Sequence, residues 1–532
     1  MADTLQQLLR ERADQDSIAI KCGDRTWTWR EHLAEASAQA ATLIASADPA
    51  RPLHVGALMG NTPEMLTALA AAGLGGYVLC GINTTRRGEA LARDIRRVDC
   101  QVLLTDPEHR HLLDDVELPG VTVIDVTSDE WAASVASAPA LVPHREVSPD
   151  DYFMMIFTSG TSGDPKAVLV PNMIVLFAGN ALAQNHGIDE TDVCYLSMPL
   201  FHSNAVVAGW GLAICSGAAM VPATFSASRF LSDIRGYGAT YMNYVGKPLA
   251  YILATPEGPD DHDNPLRVAF GNEGTERDIA EFARRFACEV TDGFGSTEQA
   301  VIITRSEGCP PGSIGKGFPG VAIYDPETVQ PCEVARFDET GALINADAAT
   351  GEIVNTSGSG LFRGYYNDQG STDERLRHGM YWSGDLAYQD ADGWIYLAGR
   401  TADWMRVDGE NLTAAPIERI LLRLNTISRV AVYPVPDEYV GDQVMAAIVL
   451  RDEAELSPAE FAQFLAAQRD MSPKAWPRYV WIADDLPSTA TNKILKRELV
   501  SRGSDPEGRT LWKRDGTEFH PYGVAAVTGR DR

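Results

Sequence analysis

Apolar positions along the chain fall into two alternating rhythms. Leu5 to Arg12 and Trp29 to Ala45 repeat them at three- and four-residue spacing, which predicts helices. The apolar run Leu53 to Met59, followed by Asn61-Thr62-Pro63-Glu64, predicts a strand, a turn and a helix start. Short apolar runs at Val102 to Leu104, Val121 to Val126, Asp192 to Met198, Ala218 to Val221, Leu266 to Phe270 and Cys288 to Gly293 continue the strand reading. Such alternation predicts an α/β protein with more than one parallel sheet covered by helices. Glycine and proline cluster from Gly308 to Gly320, marking a surface crossing before Glu333 to Ile353, a region that reads as β. Beyond Arg400 a smaller unit is expected, with helices at Ala415 to Leu424 and Pro458 to Arg469 and strands at Val430 to Tyr433 and Val444 to Leu450. The uncharged stretch Ala205 to Pro222 reads as buried core, rich in Gly and Ala and broken by Ser216, with a membrane-contacting segment as the alternative.

Composition narrows the function. The 532 residues allow about three or four domain-sized units. A net charge of -28, from 45 basic and 73 acidic residues, argues against nucleic acid and against electrostatic docking on an anionic bilayer. An anionic substrate must therefore be met by local positive charge. The eight cysteines, Cys22, Cys80, Cys100, Cys194, Cys215, Cys288, Cys309 and Cys332, include no Cys-x-x-Cys pair and read as reduced, cytoplasmic thiols. Met1 to Gln15 lacks the apolar core of a signal peptide, so secretion is not expected.

The stretch Phe157-Thr158-Ser159-Gly160-Thr161-Ser162-Gly163-Asp164-Pro165-Lys166 reads as a phosphate-holding loop. Two glycines expose successive backbone N–H groups, hydroxyls donate to oxyanions, and Lys166 adds mobile positive charge. It follows the buried-strand pattern Tyr152 to Phe157, and a second strand-like run, Ala167 to Val170, begins just after it. The spacing is not that of the Walker loop, because Gly160 and Gly163 are too close and Ala167 follows the lysine. A second polar cluster, Asp292-Gly293-Phe294-Gly295-Ser296-Thr297-Glu298, also follows an apolar run. There the glycines allow close approach, Phe294 offers a flat face for a base, Thr297 a hydroxyl for phosphate, and Glu298 a hard carboxylate for Mg²⁺. Gly271-Asn272-Glu273-Gly274 stands after another apolar run. Asp390 to Tyr396 contains an Asp-Gly pair suited to a tight turn, bracketed by Asp385 and Arg400.

Taken in this order, the motifs resemble those of the adenylate-forming superfamily of acyl-CoA synthetases, peptide-synthetase adenylation domains and luciferases. The resemblance implies a large N-terminal domain, residues 1–400, of parallel α/β sheets plus a β subdomain, and a small mobile α+β C-terminal domain, residues 401–532. It implies ATP/AMP contacts from Thr158 to Gly163, Lys166, Gly271, Asn272, Glu273 and Asp292 to Gly295, with Asp385 on the ribose and Arg400 on phosphate. Thr297, Glu298 and Lys493 take the catalytic roles, with Glu298 also the metal ligand. Lys493 lies in Pro487 to Lys496, where Asn492 stands in place of the customary glycine. The Pro199-Leu200-Phe201-His202-Ser203-Asn204 segment makes His202 a gate to the acyl site. Gly409 is similar to the glycine beside which the pantetheine arm of CoA passes, and Ala402 departs from the charged residue common after the family arginine. Gly409-Glu410-Asn411, Leu511-Trp512 and Tyr522 resemble the fatty-acid-transport branch and actinobacterial fatty-acyl and steroid-side-chain CoA ligases.

The implied activity is an AMP-forming carboxylate–CoA ligase using ATP, CoA and Mg²⁺, with no nucleic-acid partner and no transmembrane segment. A homodimer stays open. The alternatives are an acyl-AMP ligase loading a carrier protein and a catalytically silent acyl- or nucleotide-binding regulator.

Overall fold

The computed structural model describes residues 2–532 apart from 159–164, 247, 307, 340, 342, 401–403, 408–409, 438–440, 469–470, 472, 489–493, 506–508 and 523–532. The chain divides into two compact units, Met1–Ile302 with Ser359–Leu376 and Ile303–Gly358 with Arg377–Arg532.

The first unit holds two sheets. One runs, in spatial order, Thr122–Asp125, Val102–Thr105, His54–Leu58, Val78–Gly81, Tyr152–Thr158 and Lys166–Pro171. Its neighbours are parallel except for the last pair. The central strands are buried along their whole length, which is why they read as unbroken apolar runs. The helix expected after Asn61 is Pro63–Gly75, with the Thr62 hydroxyl accepting from Met65 N at 3.4 Å and Pro63 in the first turn. It ends at Gly76, whose φ of 67° and the Arg145 carbonyl 2.4 Å from any added Cβ exclude a side chain.

The second sheet runs Glu289–Gly293, Val268–Asn272, Tyr241–Val245, Val193–Leu196, Ala219–Pro222, Ile18–Cys22 and Arg25–Thr28. All neighbours are parallel save the final hairpin. Val245 stands opposite Asn272, and Asn272 opposite Gly293, so three strands end at one level and their loops emerge together. This is where α/β sheets place ligands.

The stretch read as buried core is buried core. Ala205–Gly211 is a π-helix with every residue buried, continued by the α-helix Leu212–Ser216 and the strand Ala219–Pro222. Among the described residues, no helix is long and apolar enough to cross a membrane. The π-helix meets both sheets: Trp210 stacks on Phe153 with ring centroids 5.3 Å apart, and the Tyr241 hydroxyl donates to the Ala208 carbonyl at 2.7 Å. Helix Asn172–His186 approaches through glycine, since a Cβ at Gly179 would lie 2.6 Å from the Gly211 carbonyl oxygen.

The second unit also holds two sheets. One includes Val321–Asp325, Gly351–Asn355, Met380–Gln389 and Trp394–Arg400. The other gathers Trp404–Val407, Glu410–Thr413, Ile427–Asp437, Gly441–Leu450, Tyr479–Ile482, Thr510–Asp515 and Glu518–Tyr522, with helices Ala414–Leu421, Pro458–Ala467 and Lys496–Arg502 in the same unit. The expected mixture of parallel α/β sheets, a β region and a smaller α+β portion is therefore present.

Glu333 to Ile353 is a correction. Among the described residues, 333–350 hold a Phe337–Leu343 bridge and the helical turn Ala346–Ala349, and regular β structure begins only at the strand Gly351–Asn355. Asn345 explains the loss of regular pairing, because its side chain accepts from Arg336 N at 2.8 Å and donates to the Val334 carbonyl at 3.0 Å, replacing ladder bonds.

Because Gly179 faces backbone that cannot turn aside, Gly179→Val is expected to lower stability by about 1–3 kcal/mol through overpacking. Urea denaturation of the two proteins measures the difference; equal midpoints would show that the helix can shift to accept the side chain.

Candidate active site

Two of the predicted clusters leave adjacent strand ends and are locked to each other. Gly271 stands opposite Asp292. The Tyr244 ring lies so close above Gly271 that an added Cβ would sit 2.4 Å from it. Tyr244 Oη donates to Asp292 Oδ2 at 3.1 Å, and the backbone N–H of Gly274 donates to the same oxygen at 2.8 Å. Asp292, 7% exposed, thus ties the Gly271–Gly274 turn to the strand that carries the second cluster. Asn272 closes the pair from the other side, its Nδ2 donating to the Gly293 carbonyl at 2.7 Å. Glu273 adopts φ of 63°, the left-handed geometry of a sharp turn. Phe294 is half-buried and Gly295 exposed, so the turn keeps a face toward solvent. Thr297 Oγ1 lies 3.0 Å from Ser203 Oγ, which brings the His202 segment to this turn.

Glu298 is buried and accepts a 2.8 Å hydrogen bond from the Tyr365 hydroxyl on Oε1. The face of the Tyr365 ring lies 5.3 Å from Lys166 Nζ. Lys166 is itself nearly buried, with Glu374 Oε2 at 3.8 Å. Tyr365 therefore joins the phosphate-loop lysine to the predicted metal ligand. Burial first, and the Glu298 carboxylate second, raise its hydroxyl pKa, so it stays a donor. The sequence reading missed Tyr365. Its signal was Arg363-Gly364-Tyr365-Tyr366, in which Gly364 takes φ of 98° and the Tyr366 N–H donates to the Ala167 carbonyl at 2.8 Å. That bond seats the segment beside the strand Lys166–Pro171.

Thr158 and Lys166, the ends of the predicted phosphate loop, are register partners across an antiparallel pair. Ser159, Gly160, Thr161, Ser162 and Gly163 lie outside the described residues, as do Gly409 and Lys493. In the second unit Asp385 and Arg400 are register partners on neighbouring strands. The tight turn expected between those strands is present, with Asp390 Oδ1 accepting from Asp392 N at 3.0 Å and Trp394 N at 2.8 Å. Lys496, at the end of the predicted catalytic lysine motif, pairs with Glu418 at 2.9 Å.

The His202 ring lies tilted against Phe201 with centroids 4.5 Å apart, and its Nε2 is sealed from solvent without a hydrogen-bond partner. Burial lowers its pKa to about 4, so the ring is neutral near pH 7.

Comparison with known proteins gives a concordant result. The chain matches the family described as "AMP-binding enzyme" over residues 9–366 and "AMP-binding enzyme C-terminal domain" over residues 416–493. It is 50% identical to the medium/long-chain-fatty-acid–CoA ligase FadD17 of Mycobacterium marinum, covering 96% of this chain and 98% of that protein. It is 42% identical to the steroid-22-oyl-CoA synthetase of Rhodococcus jostii, covering 97% and 94%. The crystal structure of ATP-bound MatB from Rhodopseudomonas palustris has the same fold, with a TM-score of 0.82 at 21% identity over 95% of this chain and 99% of that one.

The His202 ring, with Nε2 sealed from solvent, yields a pH prediction. Its native pKa of about 4 lies below the ordinary 6.5, so the unfolded chain binds a proton that the native state refuses. The resulting stabilisation is complete above pH 6.5 and is lost as pH falls toward 4. His202→Phe should remove about 2–3 kcal/mol of this acid sensitivity, read from urea midpoints at pH 4.5 and 7. An unchanged pH difference would show that the ring reaches solvent when protonated.

Proposed function

The chain belongs to the family of AMP-binding enzymes, and from that premise we propose that it is an AMP-forming acyl-CoA synthetase for medium- or long-chain fatty or steroid-side-chain carboxylates. The observation that carries this reading is that both relatives named above are CoA ligases and align over nearly the full chain. In the first half-reaction a carboxylate oxygen attacks the α-phosphorus of ATP, forming acyl-adenylate and releasing pyrophosphate. In the second the CoA thiolate sulfur attacks the acyl carbon and AMP leaves with the electron pair of the broken C–O bond.

The assignments of residues to these steps are ours. Thr158 to Gly163 and Lys166 hold the phosphates, Gly271 to Glu273 and Asp292 to Gly295 line the base, and Asp385 and Arg400 take the ribose and a phosphate. Among the described residues no three His, Cys, Asp or Glu side chains cluster as a metal cage. That suits Mg²⁺, which keeps water and phosphate ligands and needs one or two protein carboxylates. Glu298 would hold it, and the ion would neutralise triphosphate charge. Lys493 stabilises charge that develops between carboxylate and α-phosphate, and His202 borders the acyl chain without transferring a proton. Residues 1–400 and 401–532 act as the two functional domains, the second presenting Lys493 for adenylation and Gly409 for thioester formation. Eight free thiols accord with a cytoplasmic setting.

The direct test is a carboxylic-acid panel scored by pyrophosphate release, followed by AMP release with and without CoA. Fatty and steroid-side-chain acids should support both, and AMP release independent of CoA would overturn the ligase assignment.

Lys493→Ala is expected to slow adenylation by roughly 10²-fold or more while thioester formation from supplied acyl-adenylate survives much better. Equal losses in the two half-reactions would contradict its role.

Gly409→Leu should preserve pyrophosphate exchange but block acyl-CoA production, since a side chain there obstructs the thiol arm alone. Parallel loss of both reactions, or normal acyl-CoA output, would remove Gly409 from the tunnel.

A further inference from the structure

Three asparagines, Asn243 fully buried and Asn204 and Asn272 partly buried, form a continuous relay through the first unit. Asn243, on the central strand Tyr241–Val245, is fully buried and donates from Nδ2 to Asn204 Oδ1 at 2.7 Å. Asn204 donates from Nδ2 to Asn272 Oδ1 at 2.9 Å, and Asn272 donates to the Gly293 carbonyl at 2.7 Å. The direction of the relay is fixed from one end. A backbone carbonyl can only accept, so Asn272 must present Nδ2 to Gly293 and Oδ1 to Asn204. Asn204 must then present Nδ2 to Asn272 and Oδ1 to Asn243. Asn243 Oδ1, at the far end, is left buried without a donor.

The relay links two regions with different tasks. Asn272 packs beneath the motif turn, where added Cβ atoms at Gly293 and Gly295 would lie 3.9 and 3.6 Å from its Nδ2. Asn204 immediately precedes the π-helix Ala205–Gly211, and Gly209 of that helix lies against Asn243, an added Cβ meeting Oδ1 at 3.2 Å. The contact between Ser203 and Thr297 runs alongside. Amides hydrogen-bonded in a chain of this kind hold one another's orientation, because rotating one sets it against each neighbour's like group. A displacement of the His202–Gly211 wall is therefore felt at the turn that carries Thr297 and Glu298.

We propose that Asn204 is a positioning residue that couples the acyl wall to the nucleotide turn, so that carboxylate and ATP each bind more tightly in the other's presence. This rests on the synthetase reading above, in which those two regions receive the two substrates.

The test measures binding of α,β-methylene-ATP, whose α–β bridge adenylation cannot cleave, by calorimetry with and without saturating dodecanoate. In the wild-type enzyme dodecanoate should tighten the nucleotide by about fivefold or more, and the nucleotide should tighten dodecanoate by the same factor. Asn204→Asp keeps the shape but sets an oxygen against Asn272 Oδ1, and should reduce the factor to below about twofold while each ligand alone still binds. Asn243→Leu removes the donor that orients Asn204 and should act in the same direction, which keeps the test decisive if the first variant fails to fold. Absence of coupling in the wild type, or equal coupling in the variants, overturns the relay. A wild-type enzyme that adenylates no acid in the panel instead overturns the synthetase reading.

Discussion

The common level at which three parallel strands stop is the constraint on which the rest of the first unit's site depends. Asn243, Asn272 and Gly293 sit at or near the ends of Tyr241–Val245, Val268–Asn272 and Glu289–Gly293, and a one-residue slip between any two would turn their side chains to the opposite face. The register is enforced chemically as well as by the apolar pattern. The Tyr244 ring tolerates only glycine at position 271, and its hydroxyl, together with Gly274 N, engages one Asp292 oxygen. Those contacts are made only if the strands stand where they do. Thr297 and Glu298 inherit their positions from this lock rather than from the loop they occupy.

Much of this was legible in the sequence, and what was not shares a physical cause. Strand ends followed by Gly-rich polar clusters are local patterns, so Thr158, Lys166, Asn272 and Glu298 could be chosen before their surroundings were known. Tyr365 could not, because it meets Glu298 across 67 residues of chain, and a tyrosine after glycine looks the same in a plain turn. The asparagine relay spans separations of 39 and 68 residues, so no local pattern joins its members. The error at Glu333 to Ile353 came from the reverse case, where a local reading as β could not foresee that the Asn345 side chain replaces ladder bonds. The π-helix was hidden for a third reason. A segment buried on every side has no amphipathic period to betray its turn.

The charge balance is reconciled at Lys166. The chain carries -28 overall, yet acidic groups beyond about 8 Å are largely screened at physiological ionic strength. A nearly buried ammonium is screened far less. Lys166 sits over the Tyr365 ring, with Glu374 Oε2 at the long distance of 3.8 Å. An aromatic face attracts the cation without neutralising it, so its charge stays available to an incoming phosphate. The same tyrosine holds Glu298 from its hydroxyl end. One side chain thereby keeps a cation and an anion apart within a site that, in the proposed reaction, must offer the first to phosphate and the second to a metal.

The π-helix Ala205–Gly211 combines fixity with connection. Ala205–Gly211 is held toward one sheet by Trp210 stacked on Phe153 and toward the other by the Tyr241 bond to the Ala208 carbonyl. Gly209 and Gly211 let both neighbours approach to backbone distance, which leaves the helix little room to move as a body. In the proposed reaction, selection among acyl groups would then come from the side chains along this helix and from the one end that is tied by polar bonds rather than packed shut. That end is Ser203 and Asn204, where the links to Thr297 and Asn272 begin. Hydrogen bonds break and re-form over smaller displacements than interdigitated apolar contacts, so strain from an ill-fitting acyl group is relieved there first. In the proposed reaction an acyl group of the wrong shape would disturb the turn carrying Thr297 and Glu298 before it disturbed the core, which would make adenylation, rather than binding of the acid alone, the step at which it is rejected.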